Sequence, residues 1–370
     1  MAQSSSDVAP PGCLETTTVA AVNSLPRLSA ELDRDIVAIA RGIAMDAPLK
    51  AKSGHQGTAM ALAPLAHVLY SRIMRHSPHD PLWRNRDRFI LSAGHASILQ
   101  YAMLFLNGYG LELSDLQSFR QFDSLTPGHP EAGHTAGVEV TTGPLGQGFA
   151  NAVGMAIAEE IFKKKFGSNV INNKTYVIAS DGDLMEGISH EAMSLAGHLK
   201  LKNLIVFFDN NKISIDGSTS LSVSDNYKKR FESYGWTFLE VNGHNEKQIS
   251  KAILKASKSK KPTIISCKTI IGFGSPNKSG KASSHGSPLG VEEIKLVRKV
   301  LDWKYKPFEI PKNILNELGL YTLSNMIPTQ KKTTWFKDQG KHFCAGYLSN
   351  FTGFLGSIIE SSYCVKIYIE

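Results

Sequence analysis

The sequence has little of what marks several protein classes. It has four cysteines in 370 residues, and they are too scattered for a metal site or a disulfide framework. No apolar run reaches the roughly 18 residues that a membrane span requires. The formal net charge is +8, but the arginines form no block, so the charge suits phosphorylated small molecules better than nucleic acid. The composition therefore predicts a globular, cytoplasmic protein that binds neither a membrane nor nucleic acid.

The first thirty residues differ in composition from the rest of the chain. Residues 1–30 are rich in Ser, Thr, Ala and Pro, and they lack the basic start and apolar stretch of a secretion signal. This composition predicts a flexible N-terminal arm. A helical spacing of apolar residues begins near Leu32, and we expect order to begin there.

Short apolar segments alternate with amphipathic ones along the ordered part of the chain. The predicted strands are residues 88–92, 175–180, 204–208, 237–241 and 263–267. Continuous apolar strands separated by helices are typical of parallel strands buried on both sides. The pattern therefore predicts an α/β fold whose parallel sheet is covered by helices on both faces. In such sheets, ligands bind beyond the carboxyl ends of the strands.

Two of the predicted strands end in side chains that suit a metal ion. Asp181 and Gly182 follow one strand, and Asp209, Asn211 and Ile213 lie at the end of the next. The Asp181 carboxylate, the Asn211 amide oxygen and the Ile213 carbonyl are the oxygen ligands that Mg²⁺ prefers, with a diphosphate completing its shell. Gly182 lets that diphosphate approach the main chain. Each motif alone is typical of a turn, but the pair in this order predicts a metal-diphosphate site.

The Asp-Gly pair followed by Asn-Asn at the next strand end resembles the thiamine diphosphate-binding motif. Six further motifs, in the same order along the chain, resemble those of the transketolase family over residues 31–315. These motifs are Ser53-Gly54-His55, Ser92-Ala93-Gly94-His95, Thr126-Pro127-Gly128-His129-Pro130-Glu131, Thr142-Gly143-Pro144-Leu145-Gly146-Gln147-Gly148, Ile213-Ser214-Ile215-Asp216-Gly217, and Gly274-Ser275-Pro276-Asn277-Lys278 with Ser284-His285-Gly286.

The resemblance implies a role for each matched residue. It implies a metal bound by Asp181, Asn211 and the carbonyl of Ile213, which would be Mg²⁺, with Ca²⁺ or another divalent ion as alternatives. It implies His55, His129 and His285 as catalytic residues, of which His55 and His285 also contact the sugar. The implied contacts of thiamine diphosphate are His95, Gly143, Pro144, Leu145, Gly182, Asn211 and His285.

The function implied is that of a transketolase, which transfers a two-carbon ketol unit between phosphorylated ketose and aldose sugars. The expected partner is a second copy of the chain or a separate chain that holds the pyrimidine ring of the cofactor. Two alternatives stay open: a non-catalytic remnant that at most binds the cofactor, and another thiamine enzyme such as a dihydroxyacetone synthase.

The sequence departs from the family pattern at two positions near the implied site. Gln56 stands where the family usually has Pro, and we expect this change to loosen the loop that carries His55. Ser180 replaces the first Gly of the usual Gly-Asp-Gly. Asp183 lies outside the implied ligand set, so we expect its loss to affect cofactor binding much less than the loss of Asp181.

The family also differs from this sequence in length and in its C-terminal part. Transketolases are considerably longer, and a second domain provides the glutamate that activates the pyrimidine ring. No residue here can be assigned that role, so we expect a truncated chain that carries half of an active site. Residues 316–370 form an atypical, aromatic-rich tail. We predict that this tail comes from a disrupted reading frame, an ordinary terminal helix or strand pair being the alternative.

Overall fold

A computed structural model describes residues 28–316 and residue 318. Most of the predicted N-terminal arm and of the predicted atypical tail therefore lies outside the described residues. The first described helix begins close to Leu32, where the apolar spacing begins. Helix α1 (Ala30–Ala51) is capped by Ser29, whose hydroxyl accepts a hydrogen bond of 3.0 Å from the amide of Leu32. Such a cap satisfies one of the free amides at a helix start.

The sheet is parallel, as predicted. Its strands, with the small antiparallel pair β4–β5 that follows β3, are β1 (Arg88–Leu91), β2 (Thr175–Ser180), β3 (Leu204–Asn210), β4 (Ile213–Ser214), β5 (Gly217–Ser218), β6 (Thr237–Asn242) and β7 (Thr263–Lys268). The order in the five-stranded sheet is β1-β2-β3-β7-β6, and every pairing in it is parallel. Ser180 pairs with Asp209 in the register of β2 and β3. The two strand ends that carry the predicted metal ligands are therefore neighbours.

Helices occupy most of the segments between the strands. After α1 they are α2 (Gly57–Val68), α3 (Ser97–Leu106), α4 (Leu113–Gln117), α5 (Gln147–Phe166), α6 (Asp181–Met185), α7 (Gly187–His198), α8 (Tyr227–Ser233), α9 (Glu246–Ala256) and α10 (Val291–Val300). Helix α2 ends at Val68, and the chain continues as a π-helical turn, Leu69–Ile73. The short α6, which the periodicity does not indicate, forms because Ser180 and Asp183 cap its first turn reciprocally.

Both faces of the sheet are covered, which confirms the predicted fold class. On one face, Ile178 and Phe207 pack in a core that contains residues of α1, α2, α3, α9 and α10. On the other face, Ala179 and Phe208 pack with residues of α5, α6, α7 and α8. Successive strand residues point to opposite faces, so a strand buried on both sides must be apolar throughout.

The long loop between α4 and α5 is tied to the carboxyl end of β1. The hydroxyl of Thr142 donates to the carbonyl of Leu91 at 2.8 Å, and the amide of Phe149 donates to the hydroxyl of Ser92 at 3.0 Å. These bonds hold the loop beside the strand ends that carry Asp181 and Asn211. No helix among the described residues is long and apolar enough to cross a membrane.

Candidate active site at the carboxyl ends of the strands

Asp181 presents an unpaired carboxylate oxygen at the end of β2. The residue is 3% exposed, and its Oδ2 has no hydrogen-bond partner within the described part of the chain. Burial, and secondly the nearby Asp209, raise the pKa of Asp181 to about 7, against the lowering effect of the backbone amides of Lys212 and Asn211. A buried carboxylate that is costly to ionise without a partner is well suited to a cation.

Asn211 is held in one orientation by its neighbours. Its side-chain nitrogen donates to Oδ2 of Asp209 at 2.7 Å, and its side-chain oxygen accepts from the amide of Ile213 at 2.8 Å. Asp209 is itself fully buried and accepts a hydrogen bond from the hydroxyl of Thr269. The predicted ligands thus lie around one carboxylate, Asp209, to which the sequence analysis gave no role. The signal was present in the sequence, since an acid directly precedes the Asn-Asn pair.

The loop predicted to contact the cofactor meets the start of α6. A side-chain carbon at Gly182 would lie 2.8 Å from Cδ1 of Leu145, so the side chain of Leu145 packs closely against the backbone at Gly182. Gly143 has a φ of 154°, and a side-chain carbon there would lie 3.4 Å from Cγ of His129. The structure therefore brings the Gly143–Leu145 segment between Gly182 and His129, while Pro144 is exposed.

Asp183 connects three segments of this site. Its Oδ1 accepts from the Ser92 hydroxyl at 2.7 Å and from the Gly146 amide at 2.8 Å. Its Oδ2 accepts from the amide and the hydroxyl of Ser180, both at 2.8 Å. The side chain is fully buried. Its carboxylate joins the ends of β1 and β2 to the loop that ends at Gly146, a structural role that the sequence analysis did not assign to it. That the loss of Asp183 affects cofactor binding much less than the loss of Asp181 stays a prediction.

Three histidines from distant parts of the sequence form one cluster. The ring centroids of His55 and His95 are 5.2 Å apart, those of His55 and His285 are 5.5 Å apart, and those of His95 and His285 are 5.2 Å apart. His129 lies close enough to lower the pKa of both His55 and His95. All four histidines singled out in the sequence are thus brought together.

The cluster favours neutral imidazoles. Burial first, then His285, Arg120 and His129, lower the pKa of His55 to about 4. Burial, followed by the neighbouring histidines, lowers the pKa of His95 to about 3, and burial also lowers the pKa of His129 and His285. Arg120 was not found by sequence reasoning, because no motif distinguishes it from other surface arginines.

Two ring nitrogens in the cluster are available to a ligand. Nε2 of His95 and Nδ1 of His285 are buried and have no hydrogen-bond partner among residues 28–316 and 318. Buried polar atoms are normally paired, so such atoms in a site indicate a missing ligand or water. Together with Oδ2 of Asp181, they mark the space between the strand ends and the histidines as a binding site for a polar molecule.

Comparison with known proteins identifies the family. Residues 32–344 match the family profile described as "Transketolase, thiamine diphosphate binding domain". The chain belongs to the transketolase family. The transketolase match includes both strand ends and the four clustered histidines, and it supports thiamine diphosphate as the cofactor of this domain.

Transketolases from several organisms align with most of this chain. Transketolase 2 of Escherichia coli (strain K12) is 53% identical over 286 residues, which are 76% of this chain and 43% of that protein. The transketolase of Halalkalibacterium halodurans is 50% identical over 313 residues, or 83% of this chain and 46% of that protein. This chain therefore spans less than half the length of the transketolases that it matches.

Solved transketolase structures share the fold. The structure from Campylobacter jejuni superposes with a TM-score of 0.79 at 41% identity, covering 84% of this chain and 48% of that one. The Pichia stipitis transketolase in complex with sedoheptulose-7-phosphate gives a TM-score of 0.80 at 42% identity, covering 85% and 47%. At these identities the likeness extends beyond fold to the transketolase family itself.

Proposed function

We propose that this chain binds thiamine diphosphate through a divalent cation at the ends of β2 and β3. The cation would be held by the Asp181 carboxylate, the Asn211 amide oxygen and the Ile213 carbonyl, and we favour Mg²⁺ because all three are hard oxygen ligands. The observation that carries this proposal is the buried, unpaired Oδ2 of Asp181 beside an asparagine whose amide is already oriented. The same donors would accept Ca²⁺ or another divalent ion.

The residues around the cation site fit the rest of the cofactor. The backbone at Gly182 and the segment Gly143–Leu145 would contact it, with His95, His285 and Asn211 as side-chain contacts. When bound, thiamine diphosphate supplies the nucleophilic carbon and the electron sink for cleaving a carbon-carbon bond. The protein supplies binding and orientation. The unpaired ring nitrogens of His95 and His285 support this assignment.

The clustered histidines would bind and deprotonate sugar hydroxyls. A neutral imidazole has one nitrogen that donates and one that accepts, so it can hold a hydroxyl and move its proton. The lowered pKa of His55 keeps its ring in this form at neutral pH. We assign His55, His129 and His285 as the catalytic residues, with His55 and His285 in contact with the substrate.

The proposed reaction is that of a transketolase, the transfer of a two-carbon ketol unit between phosphorylated sugars. Pichia stipitis transketolases have been crystallised with sedoheptulose-7-phosphate and with fructose-6-phosphate, and we propose sugars of this class for this chain. We expect the partner to be a second copy of the chain, or a separate chain that supplies the pyrimidine half of the active site. A cytoplasmic location remains a prediction of the sequence.

Titration of thiamine diphosphate with Mg²⁺ into the full chain tests the cofactor site. We expect Asp181→Asn to weaken binding at least tenfold, about 1.4 kcal/mol, because it removes the charged ligand. Asp216→Asn, at an exposed aspartate between β4 and β5, is the matched control and should leave the affinity unchanged. Equal affinity for the wild type and Asp181→Asn, or no binding by a folded wild type, would reject the proposed site.

Activity separates the enzyme from a remnant that only binds the cofactor. We expect no ketol transfer from xylulose 5-phosphate to ribose 5-phosphate by the purified chain alone. Addition of a transketolase pyrimidine domain should restore transfer, and His55→Ala should abolish that restored activity. A folded, cofactor-loaded chain that stays inactive with the added domain would favour the remnant.

A further inference from the structure

Gln56 is a buried polar side chain within the site to which the proposed function gives no role. It directly follows His55, precedes the first residue of α2, and is 0% exposed. Its own side chain makes no capping hydrogen bond to the helix. A buried amide needs a strong reason to be there, because burial without hydrogen bonds is costly.

The amide of Gln56 spans the two ends of the segment that carries His285. Its Nε2 donates to the carbonyl of Ser284 at 3.1 Å and to the carbonyl of Ser287 at 2.5 Å. These carbonyls flank His285 and Gly286. Only the nitrogen of the amide can face two carbonyls, since an amide oxygen has no proton to donate. Both N–H groups of the amide therefore donate to one short segment. We refer to these two hydrogen bonds as the Gln56 bridge.

The bridge lies where the two histidine segments are in contact. A side-chain carbon on Gly57 would lie 2.4 Å from the carbonyl oxygen of Ser284, so the first turn of α2 packs directly on that backbone. A side-chain carbon on Gly286 would lie 3.3 Å from Nε2 of His55. The bridge thus connects the segment that carries His55 to the segment that carries His285.

We propose that Gln56 is a positioning residue that fixes His285 relative to His55 through the Gln56 bridge. The expectation that glutamine in place of proline loosens the His55 loop has to be corrected. A proline side chain carries no donor and could not form the bridge, whereas glutamine joins two loops that are far apart in sequence. The functional part of this inference rests on the proposed function, because it takes both imidazoles as contacts of the sugar.

The decisive experiment compares Gln56→Leu with Gln100→Leu in the cofactor-free full chain. Gln100 is also a buried glutamine, 2% exposed, but it lies outside the Gln56 bridge, so it controls for the loss of a buried amide. We expect the ring resonances of His55 and His285 to shift in nitrogen-proton NMR spectra of Gln56→Leu only. Unchanged ring resonances in a folded Gln56→Leu would overturn the proposal.

Hydrogen exchange provides a second measurement of the same variants. The amides of Ser284 and His285 donate to the carbonyls of Lys281 and Ala282 at 3.1 and 2.8 Å. Loss of two bridging hydrogen bonds should accelerate exchange at these amides about tenfold or more, and Gln100→Leu should not. Equal exchange rates in both variants would count against the bridge.

Gln56→Glu tests the hydrogen bond itself. A protonated carboxyl can donate one hydrogen bond to a carbonyl, whereas an ionised one can donate none. We therefore expect wild-type-like histidine resonances at acid pH and altered ones at neutral pH. If Gln56→Leu does not fold, this variant and Gln56→Pro carry the same comparison, and wild-type-like histidine resonances in both at neutral pH would overturn the proposal.

These measurements separate the bridge from the proposed function. They need no cofactor, so a chain that fails to bind thiamine diphosphate would reject the proposed function while the bridge is still decided. Conversely, we expect Gln56→Leu to retain Mg²⁺-dependent binding of thiamine diphosphate, weakened less than the tenfold or more expected for Asp181→Asn, about 1.4 kcal/mol. The proposed cation ligands are on other segments.

Discussion

The metal end and the histidine end of the site are built in different ways. At the metal end, Asp181 and Asn211 are placed by the register of two adjacent strands, in which Ser180 pairs with Asp209. At the histidine end, His55, His95 and His285 come from three separate segments with rings 5.2–5.5 Å apart. Side-chain hydrogen bonds of Gln56 join two of these segments.

This difference indicates which substitutions each end will tolerate. A sheet register is maintained by many backbone hydrogen bonds, so one side chain can change there without moving its neighbours far. Loops are maintained by fewer contacts, so a single buried side chain can decide where they lie. Substitutions at the metal end should therefore weaken ligand binding without changing the backbone conformation. At the histidine end, substitution of a side chain that joins two loops should change the conformation of those loops.

The largest effect is expected from Asp183→Ala, because its carboxylate accepts hydrogen bonds from three segments of the site. Its removal leaves the Ser92 hydroxyl and the amides of Gly146 and Ser180 without their acceptor. An unsatisfied buried group costs about 1–3 kcal/mol, so the free energy of unfolding should fall by about 3 kcal/mol or more. Urea denaturation measures this loss.

Two control variants show whether the loss of stability comes from the carboxylate of Asp183. Asp183→Asn keeps the shape and one accepting oxygen, so it should cost less. Asp216→Ala, on the surface, should change the urea midpoint little. A midpoint for Asp183→Ala equal to that of the wild type would contradict the role given to its carboxylate.

A smaller effect is expected at the metal end from Asp209→Ala. The substitution releases the Nδ2 of Asn211, which Asp209 holds at 2.7 Å. Residues that orient a metal ligand typically contribute at least tenfold to affinity, so Mg²⁺-dependent cofactor binding should weaken about tenfold. Calorimetric titration measures the change.

A matched variant at Thr269 removes only the hydrogen bond that Asp209 accepts from this residue. Thr269→Val deletes the hydroxyl that donates to Asp209 and should produce a part of the same loss. If Asp209→Ala bound the cofactor as tightly as the wild type, then the orientation of Asn211 would not depend on Asp209.

The smallest effect concerns the pH dependence of the histidine end. Burial lowers the pKa of His95 to about 3 in the folded protein, whereas an unfolded histidine titrates near 6.5. Its contribution to stability is therefore complete above about pH 6.5 and is lost as the pH falls toward 3. Between pH 7 and 6, His95→Gln should lose less unfolding free energy than the wild type, by no more than about 1 kcal/mol. Urea denaturation at both pH values gives this difference, and parallel losses would show that His95 does not contribute.

Most of the sheet could be predicted from the sequence. The strand Thr175–Ser180 has the predicted bounds, and the other strands of the five-stranded sheet differ from theirs by one or two residues. These elements follow from local patterns, because a segment that is apolar throughout must be buried on both sides. The short helix α6 was missed, since its reciprocal cap depends on two polar side chains rather than on periodicity.

The α/β fold and the strand ends that carry Asp181 and Asn211 could be predicted from the sequence, because they follow from residues near one another in the chain. Each clustered histidine was identified by a short motif around it that resembles the transketolase family. The tertiary structure alone decided that Asp183 joins Ser92 to Gly146, and that Gln56 joins the loops of His55 and His285. The partners in these bonds are 91 residues apart for Asp183 and Ser92 and 231 apart for Gln56 and Ser287. No local pattern encodes such a pairing, because it exists only once the sheet has brought the loops together.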